Sequence, residues 1–148
     1  MNADPRLPAY FDSSALVKRY VAESGSATVR GFVMRHRVIS STLAPLEITS
    51  AVRRRHLEQH ISSAQFADIL AALRLDHLYW ELTEVDRHVL QRAEELLRSA
   101  NVRTLDALHV CSAAAAGATL GEALPFITAD RRQREAAVAA GLDVAWVE

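Results

Sequence analysis

Short apolar runs alternate along the chain with longer segments in which apolar residues recur every three or four positions. The short runs predict buried strands at residues 8–12, 38–40, 78–83, 124–128 and 143–147. The longer segments predict amphipathic helices at residues 13–22, 24–36, 42–60, 63–76, 84–99, 104–117 and 131–140. Gly117 is expected to end the sixth of these helices, because glycine suits a helix stop.

Strands separated by helices indicate a parallel sheet that is covered by helices on both faces. The chain shows no repeat, low-complexity tract or linker, so residues 1–148 are predicted to form a single α/β domain with about five strands. In sheets of this kind, ligands bind outside the carboxyl ends of the strands, near the point where the strand order switches. A functional site is therefore expected at that edge.

Four acidic residues interrupt apolar stretches, and three of them are predicted to lie at this edge. Asp12 ends the first strand, Asp130 follows the fourth, and Asp106 lies in the first turn of the helix 104–117. A carboxylate in a medium of low dielectric constant costs several kcal/mol unless it is paired, protonated or bound to a metal. The positions of these acids favour one acidic pocket.

The position of Glu47 in its helix predicts that it, too, lies near this pocket. It shares a column of the helix 42–60 with Leu43 and Ala51, at four-residue spacing, so it lies on the apolar face. Three charged residues of the same helix are expected to lie largely on other faces, and these are Arg53, Arg54 and Glu58. An apolar face that packs on the sheet would carry Glu47 towards the interior or a cleft; an exposed glutamate between hydrophobic neighbours is the alternative.

Four carboxylates in one pocket cannot all stay ionised unless other charges neutralise them. Two of them about 5 Å apart repel by roughly 3 kcal/mol at an effective dielectric constant of about 20, so protons or cations are needed. The candidate ligands are oxygens, with no clustered cysteines and no His-x-x-x-His pair, which favours Mg²⁺ or Mn²⁺ over zinc or copper. Ions of this kind suit hydrolysis of phosphodiester bonds in nucleic acid.

Composition narrows the class of protein. The formal net charge of −1 argues against a broadly basic surface for nucleic acid, yet all but one of the 17 Lys and Arg residues are arginine. Two arginine clusters, Arg53–Arg55 and Arg131-Arg132 with Arg134, could bind phosphate or be solvated helix faces. The single cysteine, Cys111, excludes an intrachain disulfide and a multi-cysteine zinc site. Without a membrane-length apolar run or a signal peptide, a cytoplasmic protein that does not enter the membrane is expected.

Four segments together resemble the PIN domain family, and more narrowly the VapC-type toxins of bacterial toxin–antitoxin pairs. They are Asp12–Tyr20 (DSSALVKRY), Leu46–Ile48 (LEI), Leu105–His109 (LDALH) and Thr128–Arg131 (TADR). The resemblance covers the whole chain and keeps the order and approximate spacing of all four acids. It implies an endoribonuclease dependent on Mg²⁺ or Mn²⁺, a cognate VapB-like antitoxin that lies over the acidic groove, and a homodimer.

The resemblance also implies roles for individual residues. Asp12, Glu47 and Asp106 match the family's core acidic metal ligands, and Asp130 matches its fourth acid. Two further positions match its hydroxyl residues, and these are Ser14 and Thr128. A hydroxyl group there could orient a carboxylate or hold a water molecule, or it could serve only as a helix cap or a strand-end contact.

His109 lies one helical turn after Asp106 and could reach the same pocket. A role as metal ligand or in acid–base chemistry is one hypothesis, and a packed histidine with one hydrogen bond is the other.

Two other functions compete with a nuclease. A phosphoaspartyl enzyme would need a second aspartate two residues after Asp12, where this chain has Ser14, and a downstream lysine, whereas the only lysine is Lys18. A non-catalytic PIN-like module that binds RNA or protein would be marked by the loss of an active-site acid, and none is lost.

Overall fold

The central strand of the sheet is the first in the chain, β1 (Leu7–Phe11), in a computed structural model that describes residues 4–148. The other strands are β2 (His36–Ser41), β3 (Glu81–Thr83), β4 (Phe126–Thr128) and β5 (Val144–Trp146). All pairings are parallel and the order is β3-β2-β1-β4-β5, so the strand order switches between β1 and β4. The predicted five-stranded parallel sheet is confirmed.

The helices follow the predicted order, with shifted ends. They are α1 (Ser13–Val17), α2 (Ser26–Arg35), α3 (Ala44–Leu57), α4 (Ser63–Asp76), α5 (Arg87–Ser99), α6 (Thr104–Leu120) and α7 (Arg131–Ala139). A turn of 3₁₀ helix at His77–Tyr79 occupies the start of the predicted strand 78–83. None of the helices in residues 4–148 combines the length and apolar character needed to cross a bilayer.

Side chains of β1 alternate between two hydrophobic cores, one on each face of the sheet. Phe11 belongs to the core that includes Leu16 of α1 and Ile48 of α3. Tyr10 belongs to the opposite core, beside α6 and α7, and stacks on Phe126 with 5.3 Å between the ring centroids. Because helices cover both faces, the carboxyl ends of the central strands are where a ligand can approach.

The prediction that Gly117 ends its helix is wrong, because α6 continues to Leu120. The helix stops at Gly121, whose φ of 70° is the left-handed conformation that glycine adopts without strain. Gly117 serves a different purpose: a Cβ atom there would lie 2.9 Å from the backbone oxygen of Glu122. Its missing side chain lets the chain fold back closely over the helix end.

The predicted helix 13–22 is also shorter than expected, since α1 ends at Val17. The next amide groups bond to carbonyl groups only three residues earlier, as in Lys18 to Ala15 and Arg19 to Leu16. The chain therefore continues as tight turns that bring Val21 into the core.

Two glycines of α2 differ in whether the backbone and the space around them would accept a side chain. Gly25 caps α2 with a φ of 82°, and a Cβ atom there would lie 1.9 Å from the backbone oxygen of Glu148. Gly31 lies within α2, where the nearest atom to such a Cβ is the flexible end of Arg35 at 3.1 Å. We expect Gly25→Ala to lower the free energy of unfolding by about 1–2 kcal/mol or more, from the left-handed backbone alone. Gly31→Ala should raise it by about 0.5–1 kcal/mol. Urea unfolding measures both, and equal effects of the two substitutions would contradict the structure.

Candidate active site

The four acids predicted from the sequence line one cleft of about 340 Å³ at the carboxyl edge of the sheet. Asp12 and Asp130 are the N-caps of α1 and α7, while Glu47 and Asp106 lie in the first turns of α3 and α6. Helix N-termini carry partial positive charge and stabilise nearby anions. Elements that are far apart in the chain therefore bring four carboxylates to one place.

Asp12 is the most constrained of the four, with only 2% of its surface exposed. Its Oδ1 atom accepts hydrogen bonds from the Ser14 hydroxyl (2.7 Å) and the Ala15 amide (3.0 Å), and its Oδ2 atom accepts one from the Thr128 hydroxyl (2.6 Å). Burial raises the pKa of Asp12, and the hydrogen bonds and the neighbouring charge of His109 offset this only in part. The folded protein thus holds a carboxyl group that resists ionisation.

Both predicted hydroxyl residues serve to orient Asp12. Ser14 accepts a hydrogen bond from the Ala129 amide (3.0 Å), and Thr128 accepts one from the Asp130 amide (3.1 Å). A hydroxyl that accepts from a backbone amide directs its own hydrogen elsewhere, and here each points to Asp12. The two hydroxyls therefore tie the Asp12 carboxylate to the strand end at which β4 leads into α7.

Glu47 is held from two sides. Its Oε1 atom lies 2.6 Å from Nε2 of His109, and its Oε2 atom accepts a hydrogen bond from the Ser13 hydroxyl at 3.0 Å. Nδ1 of His109 lies 2.9 Å from the hydroxyl of Tyr10, which is fully buried on β1. A chain of contacts thus runs from the sheet through α6 to α3.

The charge on His109 follows from these neighbours. Burial lowers the pKa of His109, but the hydrogen bond and charge of Glu47, with the charges of Asp12 and Asp106, outweigh this and leave the pKa raised. In the charged form both ring nitrogens donate, one to Glu47 and the other to Tyr10. His109 is therefore a packed residue with two polar contacts, rather than the one that the sequence suggested.

Asp106 and Asp130 repel each other across the cleft. Burial raises the pKa of Asp106, and the charge of Asp130 raises it further, while Arg103 and His109 partly offset these effects. The idea that all four acids interrupt apolar packing needs correction here, because Asp130 is exposed. Its carboxylate caps α7.

The cap is made by Oδ1 of Asp130, which accepts hydrogen bonds from the amides of Arg132 (2.8 Å) and Gln133 (3.2 Å). An exposed, capping aspartate is tolerated without a metal ion. Of the four acids, Asp12 is fully buried, Asp106 is partly buried and Asp130 is exposed, so the energetic argument from burial is strongest for Asp12, holds in part for Asp106 and does not apply to Asp130.

As the side chains stand in residues 4–148, no three His, Cys, Asp or Glu side chains are grouped closely enough to hold a metal ion. The donors in the cleft are nevertheless carboxylate oxygens, which hard divalent cations prefer. Oδ2 of Asp12 and both carboxylate oxygens of Glu47 each have one hydrogen-bond contact and keep a second lone pair with which to bind a cation, whereas Oδ1 of Asp12 already accepts two hydrogen bonds. The chemical type of these donor atoms, carboxylate oxygen, fits Mg²⁺ or Mn²⁺.

Arg54, Arg103 and Gln133 also line the cleft, and of these the sequence analysis named only Arg54, as a member of an arginine cluster. Arg54 was expected to lie away from Glu47, and that expectation is wrong. Seven residues make almost two full helical turns, so Arg54 lies on the same side of α3 as Glu47. Continuing the helical spacing from Glu47 by two turns would have predicted this position of Arg54. Gln133 is buried, and its side-chain amide donates to the backbone oxygen of Asp106 at 3.1 Å.

Comparison with known proteins gives a consistent result. Residues 9–139 match the model of the PIN domain. Ribonuclease VapC46 of Mycobacterium tuberculosis is 38% identical over 136 residues, which cover 91% of this chain and 94% of that protein. Ribonuclease VapC45 of the same species is 33% identical over 140 residues, with 92% of this chain and 93% of that protein covered.

A solved structure from Mycobacterium tuberculosis, VapBC-5 of the VapBC family of toxin–antitoxin systems, shares the fold. The TM-score is 0.58 at 20% identity, and the match covers 95% of this chain and 98% of that one.

Proposed function

Because the chain belongs to the PIN domain family and is related to VapC ribonucleases over nearly its whole length, we propose that it is a divalent-metal-dependent endoribonuclease. Its role would be that of the toxin in a toxin–antitoxin pair. The observation that carries the proposal is that four carboxylates, from four separate helix N-termini, line one cleft at the switch point of the sheet. Membership of this family removes the phosphoaspartyl alternative.

The side chains of the cleft have distinct parts in this proposal. Asp12, Glu47, Asp106 and Asp130 would hold Mg²⁺ or Mn²⁺, which when bound supplies an activated water molecule and neutralises charge on the phosphate. Asp12 and Glu47 are each fixed by hydrogen bonds from both sides, so their oxygens are oriented before any substrate arrives.

The hydroxyl groups of Ser14 and Thr128 would position Asp12 without contacting the substrate themselves. His109 would do the same for Glu47. Such outer contacts fix the direction of a ligand oxygen and commonly change metal affinity or activity by about 10–100-fold when removed.

Cleavage of a labelled RNA tests the proposal. We expect cleavage with Mn²⁺ that EDTA abolishes and that Asp106→Asn removes, because this substitution withdraws a charged oxygen donor while keeping the shape of the side chain. Asp68→Asn makes the same change at an exposed position on α4 and should cleave like the wild type. Thermal melting shows that each variant is folded. Cleavage that persists in EDTA and in Asp106→Asn would contradict a carboxylate–metal mechanism, and RNA that is bound but never cut would favour a non-catalytic module.

Partners follow from the same relatives. The VapBC-5 structure is described as a toxin–antitoxin system, and we extend this to a cognate VapB-like antitoxin that covers the acidic cleft. We also propose a homodimer, and a cytoplasmic location where the RNA substrate and antitoxin would be found.

A further inference from the structure

The acidic cleft opens into a larger groove that runs along α1 and α3. The groove has a volume of about 610 Å³ and shares six residues with the cleft, so the two are continuous. The shared residues are Ser13, Ser14, Glu47, Arg54, Leu105 and Asp130. A strand of nucleic acid that reaches the four carboxylates can therefore lie along this groove.

Most of the basic residues in the groove already have acidic partners. Lys18 lies 3.4 Å from Glu23, and Arg55 also pairs with Glu23. His60 lies 3.4 Å from Glu58. Within residues 4–148, Arg54 is the one basic side chain of the groove that has neither an ion pair nor a side-chain hydrogen bond, and it also lines the inner cleft.

Arg103 stands in a similar position in the inner cleft. It is exposed, it is the N-cap of α6 three residues before Asp106, and no other side chain in the described part of the protein pairs with its guanidinium. Arg54 follows Glu47 by seven residues, which places it about 10 Å further along the helix axis. Two unpaired guanidinium groups thus accompany the acids from different elements.

Two other arginines of the sequence clusters contact aromatic rings outside the cleft. Arg53 lies over the ring of Phe66, and Arg134 lies over the ring of Trp146. Neither of these two residues lines the acidic cleft or the groove. The two arginine clusters of the sequence are therefore not equivalent, and within the first cluster only Arg54 has a guanidinium that is both unpaired and inside the cleft.

We propose that Arg54 and Arg103 bind backbone phosphates of the RNA next to the bond that is cut. This inference rests on the proposed ribonuclease function. Four carboxylates repel a polyanion, so the substrate needs cations close to the cleft in order to enter it. A guanidinium offers a planar pair of donors that matches two phosphate oxygens, and one without an acidic partner can bind a phosphate without first breaking an ion pair.

Binding of a fluorescently labelled single-stranded RNA in EDTA separates this role from catalysis. We expect Arg54→Ala and Arg103→Ala each to weaken binding about three- to tenfold at moderate salt. Each should also reduce the slope of log affinity against log salt concentration by about 0.7, the value for one lost phosphate contact on a single strand. Arg54→Lys should keep the salt slope and recover part of the affinity, because it keeps the charge and loses the fork.

Arg53→Ala is the matched control, since it removes the same exposed side chain one position earlier on α3. Its affinity and salt slope should equal those of the wild type. Equal losses in Arg53→Ala and Arg54→Ala would show an unspecific effect of surface charge and would overturn the proposal, as would wild-type affinity in both cleft variants.

Kinetics with Mn²⁺ give a second measurement on the same variants. A phosphate contact made equally in the bound and transition states raises KM and leaves kcat nearly unchanged. A drop in kcat with an unchanged KM for Arg54→Ala would contradict the assignment. If the wild type binds RNA in EDTA through these two arginines but does not cleave it with Mn²⁺, the proposed ribonuclease function fails while the phosphate contacts stand.

Discussion

Asp12→Asn is expected to abolish RNA cleavage and, without metal, to make the protein more stable. The carboxylate is almost fully buried, and burial holds its pKa above the ordinary value. An asparagine of the same shape can accept from Ser14 and Ala15 through its oxygen and donate to Thr128 through its amide nitrogen. The substitution therefore removes a buried charge and retains the hydrogen-bonded positions.

The sign of the stability change follows from the raised pKa. A carboxyl group that keeps its proton more tightly in the folded state stabilises the fold below its ordinary pKa, and this contribution is lost as pH rises through the folded-state value. Above the folded-state pKa the ionised Asp12 is thus unfavourable for folding, and its neutral replacement should gain about 0.5–2 kcal/mol. In acid, where both side chains are neutral, the difference should disappear.

Thermal melting in EDTA at neutral pH measures the gain, at about 2–4 °C for each kcal/mol in a chain of this length. Added Mn²⁺ should raise the melting temperature of the wild type more than that of the variant, because a ligand stabilises only the fold that binds it. Cleavage should fall by about 10³-fold or more, since bound metal contributes several kcal/mol and each 1.36 kcal/mol is tenfold in rate. A variant that melts below the wild type in EDTA would show that the hydrogen bonds of Asp12 outweigh its burial.

The acidic cleft was largely predictable because its position depends on local rules. Strand ends and helix starts meet at one edge of a parallel sheet, so Asp12, Asp106 and Asp130 could be placed there from the alternation of elements alone. Glu47 followed from helical spacing on a single helix. These inferences needed only the period of each element and the order of the elements in the chain.

Contacts that depend on how elements pack were not predictable. Tyr10 and His109 are 99 positions apart, and their contact requires the particular docking of α6 on β1. Gly117 shows a related difficulty, because glycine serves equally for a helix stop and for close approach of another segment. Asp130 looked like a buried charge since the sequence places it after an apolar strand, yet one residue beyond the strand the chain is already at the surface.

The surroundings of individual arginines could not be predicted from helical spacing and element order. The sequence left open whether the first cluster is a phosphate site or a solvated face, and the structure places its three members in different surroundings. Arg55 is paired with Glu23, Arg53 covers Phe66, and Arg54 remains inside the cleft. A difference of one position on α3 rotates a side chain by about 100°, so neighbouring identical residues receive different roles.

His109→Ala should cause the largest loss of stability among single substitutions near the cleft. The imidazole is buried and links Tyr10 to Glu47, so its removal takes a hydrogen-bond partner from a fully buried hydroxyl and leaves a carboxylate with one contact fewer. The loss of a hydrogen bond to a buried polar group costs about 1–3 kcal/mol, and the cavity left by the imidazole adds to this. We expect the free energy of unfolding to fall by about 3 kcal/mol or more, measured by urea unfolding in EDTA.

His88→Ala is the matched control, because His88 is exposed on α5, and it should change the free energy of unfolding by less than about 0.5 kcal/mol. Tyr10→Phe removes one end of the contact chain and should lower the free energy of unfolding less than His109→Ala does, since the ring and its packing remain.

A double-mutant cycle of His109→Ala with Glu47→Gln isolates the interaction energy between His109 and Glu47. If the two substitutions are additive, His109 does not hold Glu47. If they are coupled, the contact that orients Glu47 also contributes to the free energy of unfolding, so one imidazole connects the stability of the fold to the geometry of the cleft.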